Sequence, residues 1–452
     1  MKNLVLIVAD TVRRDHLPFH AATDVHAPNL AALATRSSVL DRYYAAGFPT
    51  MPTRADLFLG QWTFASIRWE PLPENAVPLA RILTNAGFVT AAAVDTPFYT
   101  NDGFGYDRGF KYFCELRTQP GSRRGIPQPR ATEYDYCAPQ TFVTAEQLLE
   151  GFYDTPFFLL IDTWDPHEPW DPPPHYVRRY LPDWDGRVVN PVYDKYQRRG
   201  VTKEDLAVAH ACYKAEITMV DRWIGRLLER LESLGIADET AVLFTTDHGF
   251  YFGDYGYFGK TARPEGLRPG QGSAWARSPL YEALVHIPFV AHVPGAPSKR
   301  LPQLLSAIDV MPTILDLLGV PVPAGLELHG RSFAPLLRGE STALGFGPNS
   351  RDFVVSSVPL ANPGEMLGIV DGWKRSVAEF LPATITANDG WSLLYAASGE
   401  PAELYRLPDD PAQTCNLAGE QTAVVEALHR NYVDLLKEVN TPAYLLDPRT
   451  SV

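Results

Sequence analysis

Hydrophobic residues along this 452-residue chain follow two alternating patterns. Short unbroken apolar runs at 4–9, 89–94, 157–161, 241–245 and 288–292 have the length of strands buried on both faces. Between them, apolar residues recur every three or four positions, the spacing of one helix face. The clearest such stretch predicts a helix over 202–234, with Tyr213, Ile217, Val220, Ile224, Leu227 and Leu231 on one stripe. Thr202 with Asp205 three residues on predicts its N-cap, and Gly235 its stop. A second helix is predicted over 309–318, ending at Gly319, and a third near 422–439. Strands alternating with amphipathic helices predict a doubly wound α/β sheet.

Two segments break the alternation. Residues 119–139 and 165–191 are rich in Pro, Arg and aromatics and predict long ordered loops over a site. Around 337–349 the chain turns to Gly, Ser and small residues, which predicts a boundary. We therefore expect a catalytic domain over 1–345 and a small C-terminal α+β subdomain over 346–452.

Composition narrows the class of partner. A formal net charge of −13 argues against nucleic acid as the main ligand, because phosphate backbones need clustered Lys and Arg. A local basic pocket for a small anion remains compatible with that surface. No stretch approaches the ~20 apolar residues of a membrane span. The first apolar run stops at Asp10 with no small-residue cleavage site, so it reads as a buried strand rather than a signal peptide. Cys114, Cys137, Cys212 and Cys415 show neither metal nor disulfide spacing, which fits reduced thiols and a cytoplasmic location.

Candidate chemistry sits where strands end, since open α/β sheets bind ligands at the carboxyl ends of their strands. Asp10 follows the first run, and Asp247-His248-Gly249 follows the fourth. Taken alone, Asp10 is better explained as a helix N-cap. Together, carboxylates and an imidazole at adjacent strand ends can converge on one divalent cation. A third element is the loop 47–55 with Thr50-Met51-Pro52-Thr53-Arg54, where a hydroxyl at a helix start benefits from free amides and the dipole. Thr and Pro are also ordinary helix starters, so simple capping is the competing explanation.

That loop resembles the nucleophile motif of the sulfatase branch of the alkaline phosphatase superfamily, Cys-or-Ser-x-Pro-Ser-Arg, with threonine at both hydroxyl positions. Further resemblances follow in the same order along the chain. Ala27-Pro28-Asn29-Leu30 opens a "TPNLDALA"-like helix, and Gly105-Tyr106-Asp107-Arg108-Gly109-Phe110 resembles "GFDRGF". Asp309-Val310-Met311-Pro312-Thr313 resembles "DLMPTLLD", and Glu403-Leu404-Tyr405 with Asn416-Leu417-Ala418 resembles "ELYDL…NLA".

The resemblance implies a large mixed sheet sandwiched by helices with a small C-terminal subdomain. It implies one divalent metal ion (Mn, Zn or Ca) on Asp10, Thr50, Asp247 and His248. Thr50 is implied as the metal-bound nucleophile, with Arg54 fixing the loop or neutralising charge. Lys260 is implied to contact the charged ester oxygens, and His167 to lie beside the leaving group. The competing explanation for His167 is a loop histidine stacking on Trp164 or Trp170. Trp164, Trp170, Trp184 and Tyr176 suit either packing of that loop or stacking on substrate.

Departures from the family shape the expected reaction. Thr11 stands where many sulfatases carry a second aspartate, and Val94-Asp95-Thr96-Pro97 replaces "GKWH", leaving open whether Thr11 or Asp95 serves the site. Position 50 is threonine, where sulfatases oxidise Cys or Ser to formylglycine. A sulfo-threonine has no second hydroxyl to expel sulfate, whereas water can attack a phospho-threonine at phosphorus. The expectation is a hydrolase of phosphate mono- or diesters or phosphonate esters acting on a small anionic substrate. The alternatives are a sulfuric ester hydrolase working without formylglycine and an inactive anion-binding paralogue. The insertion 261–279, with Arg263, Arg268 and Arg277, is expected to be a lid.

Overall fold

Residues 3–9, all buried, form strand β1 (Asn3–Ala9). Leu4, Leu6 and Val8 enter one core while Val5, Ile7 and Ala9 enter the other, so the apolar run reflects burial of both faces. The computed structural model describes residues 1–99, 102–116, 130–261, 279–340, 351–360, 382–397 and 399–452. In chain order the next strands are β2 (Ser38–Tyr44), β3 (Val89–Val94), β4 (Tyr112–Glu115), β5 (Phe157–Thr163) and β6 (Asp194–Lys195). They are followed by β7 (Thr240–Thr245), β8 (Tyr251–Phe252), β9 (Tyr257–Gly259), β10 (Phe289–His292) and β11 (Lys299–Ser306). The C-terminal strands are β12 (Phe353–Ser356), β13 (Ala383–Ala387), β14 (Trp391–Tyr395) and β15 (Glu403–Arg406).

The main sheet runs β11-β2-β10-β7-β1-β5-β3-β4. β10 is antiparallel to both β2 and β7, and the other pairings are parallel, which makes the sheet mixed, as expected. Ala9 pairs with Thr163 and Val8 with Thr245, so β1, β5 and β7 end at one edge of the sheet. All five runs read as strands from the sequence are strands of this sheet. β2, β4 and β11 were not legible: Asp41-Arg42 interrupts β2, β4 is a short edge strand, and β11 opens on Lys299-Arg300 and shifts register between Leu301 and Leu304.

The long helix spans Lys203–Ser233. Thr202 Oγ1 accepts from Asp205 N at 3.0 Å, and Asp205 Oδ2 accepts from Thr202 N at 2.9 Å, the reciprocal cap expected of these residues. Helices at Val310–Leu317 and Thr422–Glu438 lie within the predicted spans. β12 to β15 form a separate antiparallel sheet, against which the terminal helix packs. The expected division after residue 345 falls on residues 341–350, outside the described residues. The expected loop 119–139 is corrected at its end, because residues from Cys137 onward begin the helix Cys137–Phe152. Arg263, Arg268 and Arg277 of the expected lid also lie outside the described residues. No disulfide joins the four cysteines, and no described helix is long and apolar enough to cross a membrane.

Candidate metal centre and active site

Four acidic residues stand at or just beyond the carboxyl ends of neighbouring strands: Asp10 after β1, Asp95 after β3, Asp162 in β5 and Asp247 after β7. Asp10, Asp247 and His248 are fully buried, and one ligand atom from each lies within 4.8 Å of the others. Among the described residues this is the one such cluster.

Both carboxylate oxygens of Asp10 and Nε2 of His248 are buried without a hydrogen bond. Burial, and then the Asp247 carboxylate, push the Asp10 carboxyl well above the usual range. His248 Nδ1 lies 2.9 Å from Gly249 O and must donate to it, which leaves a lone pair on Nε2. Burial lowers the His248 pKa to about 3, so the imidazole is neutral at physiological pH. Asp247 Oδ1 accepts from the backbone N–H of Thr11 at 3.0 Å and of His248 at 2.8 Å. Two repelling carboxylates and an orphaned imidazole lone pair fit one divalent cation, which would relieve both.

Arg54 sits beneath this cluster with no solvent exposure. Nε and Nη2 donate to Asp162 at 2.8 and 2.7 Å, and Nη1 donates to Asp247 Oδ2 at 2.7 Å and to Thr50 O at 3.1 Å. Nη2 also lies 3.1 Å from Asp10 Oδ2. A guanidinium has five N–H donors, and with Nη2 also donating to Thr96 Oγ1 at 3.5 Å all of them are engaged. Of the two roles expected for Arg54, the geometry therefore matches fixing the loop and ligands, with no N–H left for a substrate. Replacing it with methionine strands three buried carboxylates, and Arg54→Met is expected to lose about 3–5 kcal/mol of stability in denaturant unfolding. A loss below ~1 kcal/mol would show that the carboxylates accommodate one another by protonation.

Thr50 is the N-cap of the helix Met51–Leu59 and is 1% exposed. Its φ of +39° is a conformation that a β-branched residue rarely adopts, and its carbonyl is held by Arg54 N at 3.2 Å as well as by Nη1. The loop before it is latched by buried Asp56, which accepts from Gly47 N and, at 2.8 and 2.7 Å, from Thr63 N and Oγ1. A Cβ on Gly47 would stand 2.6 Å from Asp56 Oδ2, so this latch requires glycine. Thr53 Oγ1 donates to Gly47 O at 2.7 Å and closes the loop. Phe48 packs on the His248 ring, with centroids 5.0 Å apart, which brings the loop to the cluster.

His167 and Lys260, 93 positions apart, meet with Nζ 2.5 Å from Nε2. His167 Nδ1 lies 2.7 Å from Glu168 O and donates to it, so Nε2 accepts from the Lys260 ammonium. Burial, followed by Lys260, holds the His167 pKa well below its ordinary value. The ring also stacks on Trp164 at 3.5 Å, so the structural and functional expectations for His167 are compatible. Lys260 is positioned by Gly259, whose φ is +138° and whose added Cβ would meet Tyr193 Cα at 2.9 Å. Trp170 is enclosed by Tyr213, Phe250, Phe252 and Phe258, and Tyr176 donates to Glu133, so both pack the loop. Trp184 likewise donates to Arg187 O at 2.8 Å.

The structure adds residues that the sequence reading missed. Asp162 anchors Arg54 and also accepts from Thr96 Oγ1 and Tyr99 OH at 3.0 and 2.9 Å. The signal was present, because Asp162 directly follows a predicted strand just as Asp10 does. Of the two residues left open, Thr11 orients Asp247 through its backbone, and Asp95 Oδ1 accepts from Trp164 N at 2.7 Å.

Glu168 is the second addition. Its Oε1 accepts from Tyr193 OH, while buried Oε2 has no hydrogen bond and lies 3.2 Å from His167 Nδ1. Burial raises its pKa to about 7, against the opposing pull of Lys260. A raised carboxyl pKa means the folded state holds the proton longer, so this group lowers stability as pH rises from the unfolded value through about 7. Glu168→Gln is expected to be more stable than wild type at alkaline pH, its advantage growing by roughly 2 kcal/mol between about pH 5 and pH 8. Melting curves across that range test it, and an advantage independent of pH would contradict it.

The Sulfatase family model matches residues 2–320 of the chain. Choline-sulfatase of Rhizobium meliloti (strain 1021) is 25% identical over 470 residues, covering 92% of this chain and 82% of that protein. Arylsulfatase of Clostridium perfringens (strain 13 / Type A) is 29% identical, covering 78% of this chain and 84% of its own. Among solved structures, phosphonate monoester hydrolase of Agrobacterium radiobacter superposes with a TM-score of 0.75 at 22% identity, over 98% of this chain and 97% of the other, a likeness of fold.

Proposed function

The chain belongs to the sulfatase family, hydrolases of sulfuric and phosphoric esters, and from that premise we propose that it cleaves a phosphate mono- or diester or a phosphonate ester with Thr50 as nucleophile. The observation that carries this reading is a threonine, held at the start of a helix, in the loop that packs on the cation cluster. The family generally uses a divalent metal ion, and we assign one ion (Mn, Zn or Ca) to Asp10, Asp247, His248 and Thr50. When bound, such a cation supplies Lewis acidity that acidifies a neighbouring hydroxyl and offsets charge on the ester oxygens.

The chain's own residues do the rest. Thr50 Oγ1, its proton lost to solvent, forms a bond to phosphorus as the ester P–O bond on the opposite side breaks. The departing oxygen takes its proton from the Lys260 ammonium, which the lone pair of His167 Nε2 holds in place at 2.5 Å. Water then attacks phosphorus, its proton passing to Lys260 as the Thr50 Oγ1–P bond breaks, and phosphate, a phosphate monoester or phosphonate is released. Arg54 holds Asp10, Asp247 and the Thr50 carbonyl in register through this cycle.

A second reading, hydrolysis of a sulfuric ester without formylglycine, is favoured by the names of two relatives, choline-sulfatase and arylsulfatase. The deciding experiment assays purified protein in parallel on an aryl sulfate, a phosphate monoester, a phosphodiester and a phosphonate monoester. Turnover confined to the phosphorus esters is expected. Sulfate turnover alone would establish the second reading, and metal-dependent anion binding with no turnover at all would mark an inactive paralogue.

A further inference from the structure

A cavity of about 930 Å³ opens between the main sheet and the C-terminal sheet, and none of Asp10, Thr50, His167, Asp247, His248 or Lys260 lines it. Tyr44, at the end of β2, forms one wall and stacks on His286 with centroids 4.6 Å apart and planes 13° from parallel. Glu282 ties the two together, accepting from Tyr44 OH at 3.2 Å and lying 2.7 Å from His286 Nδ1. The turn 388–390 between β13 and β14 forms the facing wall.

Three arginines line this space, and they differ in how they are neutralised. Arg13 is paired with Asp15 at 2.6 Å and Asp254 at 2.7 Å. Arg42 donates only to neutral oxygens, those of Ala387 O at 2.9 Å and of Asn388 O and Oδ1 at 2.8 Å. Arg14 reaches one carbonyl, Asp41 O at 3.3 Å, and its buried Nε has no hydrogen bond. Among the described residues neither Arg14 nor Arg42 has a carboxylate at ion-pair distance. Both line the same cavity as Tyr44.

Arg14 is partly desolvated with no carboxylate in ion-pair contact and one donor unsatisfied, a cost that an anion offering several acceptor oxygens relieves. The remaining lining combines Asp389 and the carboxylates already placed on Arg13, Tyr44 and His286 with Tyr255, Leu407, Pro408 and Pro411, whose apolar surface suits an organic body rather than an inorganic ion alone. We propose that this cavity is a second anion site, separate from the metal centre, which binds an organic oxyanion by its charged end at Arg14 and Arg42 and by its apolar body against Tyr44 and Tyr255. The site is independent of the reaction assigned to Thr50.

The test is calorimetric titration of the full chain with phenylphosphonate, whose C–P bond survives ester hydrolysis, and with orthophosphate. It is run on Asp247→Asn, so that the metal centre is disabled, and on the same protein also carrying Arg14→Gln or Arg42→Gln. Arg14 makes a single carbonyl contact, so its substitution leaves the fold intact even where loss of Arg42 loosens the C-terminal sheet. Phenylphosphonate is expected to bind Asp247→Asn more tightly than orthophosphate does, and Arg14→Gln to weaken it at least ~10-fold, the scale of a lost charge-assisted hydrogen bond. Absence of phenylphosphonate binding to Asp247→Asn, or unchanged affinity in the Arg14→Gln protein, overturns the proposal.

Discussion

Thr50→Ala lowers turnover of the best ester substrate by about three to six orders of magnitude, the range seen when a covalent nucleophile is removed. The size of the expected effect follows from how the residue is held. Thr50 occupies a strained backbone conformation at the helix start, with its carbonyl fixed by Arg54 N and Nη1, and the only other hydroxyl in the motif, on Thr53, is bonded to Gly47 O. No other hydroxyl of the motif is therefore free to substitute. Thr50→Ser keeps the oxygen and is expected to retain substantial activity. Thr50→Cys, expressed with the enzyme that makes formylglycine, is expected to gain sulfate-ester turnover and lose phosphorus-ester turnover. Steady-state kinetics on the four ester classes measure all three variants. An alanine variant with near wild-type hydrolysis would remove Thr50 from the mechanism, and the preference for phosphorus over sulfur would fall with it.

Asp247→Ala abolishes metal binding and, with it, turnover. One carboxylate oxygen of Asp247 takes the N–H groups of Thr11 and His248, and the other faces Arg54 at 2.7 Å. The side chain thus aligns two neighbours as well as offering a ligand atom. Loss of residues that merely orient ligands costs ~10–100-fold in metal affinity, so loss of a ligand is expected to cost at least the upper end of that range. Elemental analysis should find one equivalent of divalent metal in the wild type and a small fraction of one in the variant. Asp247→Asn, which keeps an oxygen for Thr11 and His248, separates loss of charge from loss of alignment. Two tightly held equivalents in the wild type, both lost in Asp247→Ala, would falsify the single-ion assignment.

Asp10 and Asp247 show how a site becomes readable from sequence. Each closes a run of buried β residues, and in a parallel sheet that position has only one place to go, the carboxyl edge where strands from distant parts of the chain end together. Asp162 obeys the same rule, directly following the predicted run 157–161, and the structure extends that strand to Thr163. Lys260 and His167 were assigned separate tasks from the family pattern, and only the fold shows them sharing a proton position.

What the sequence determined by itself is local or strictly periodic: strands β1, β3, β5, β7 and β10 of the main sheet, the Thr202–Asp205 cap and the helix stripes, while the motifs at Thr50, Asp247 and His248 were read from their resemblance to a family. These depend on backbone preferences and side-chain alternation within a few residues, which fold the same way wherever the element is placed. The tertiary structure alone decided which charges meet. It placed Asp162 and Asp247 on one guanidinium 108 and 193 positions from Arg54, set Lys260 against His167, inserted β10 antiparallel between β2 and β7, and left Arg14 and Arg42 facing a cavity without carboxylates in ion-pair contact. Those outcomes follow from sheet order and register, which bring residues together across hundreds of positions and leave no trace in local hydrophobic spacing.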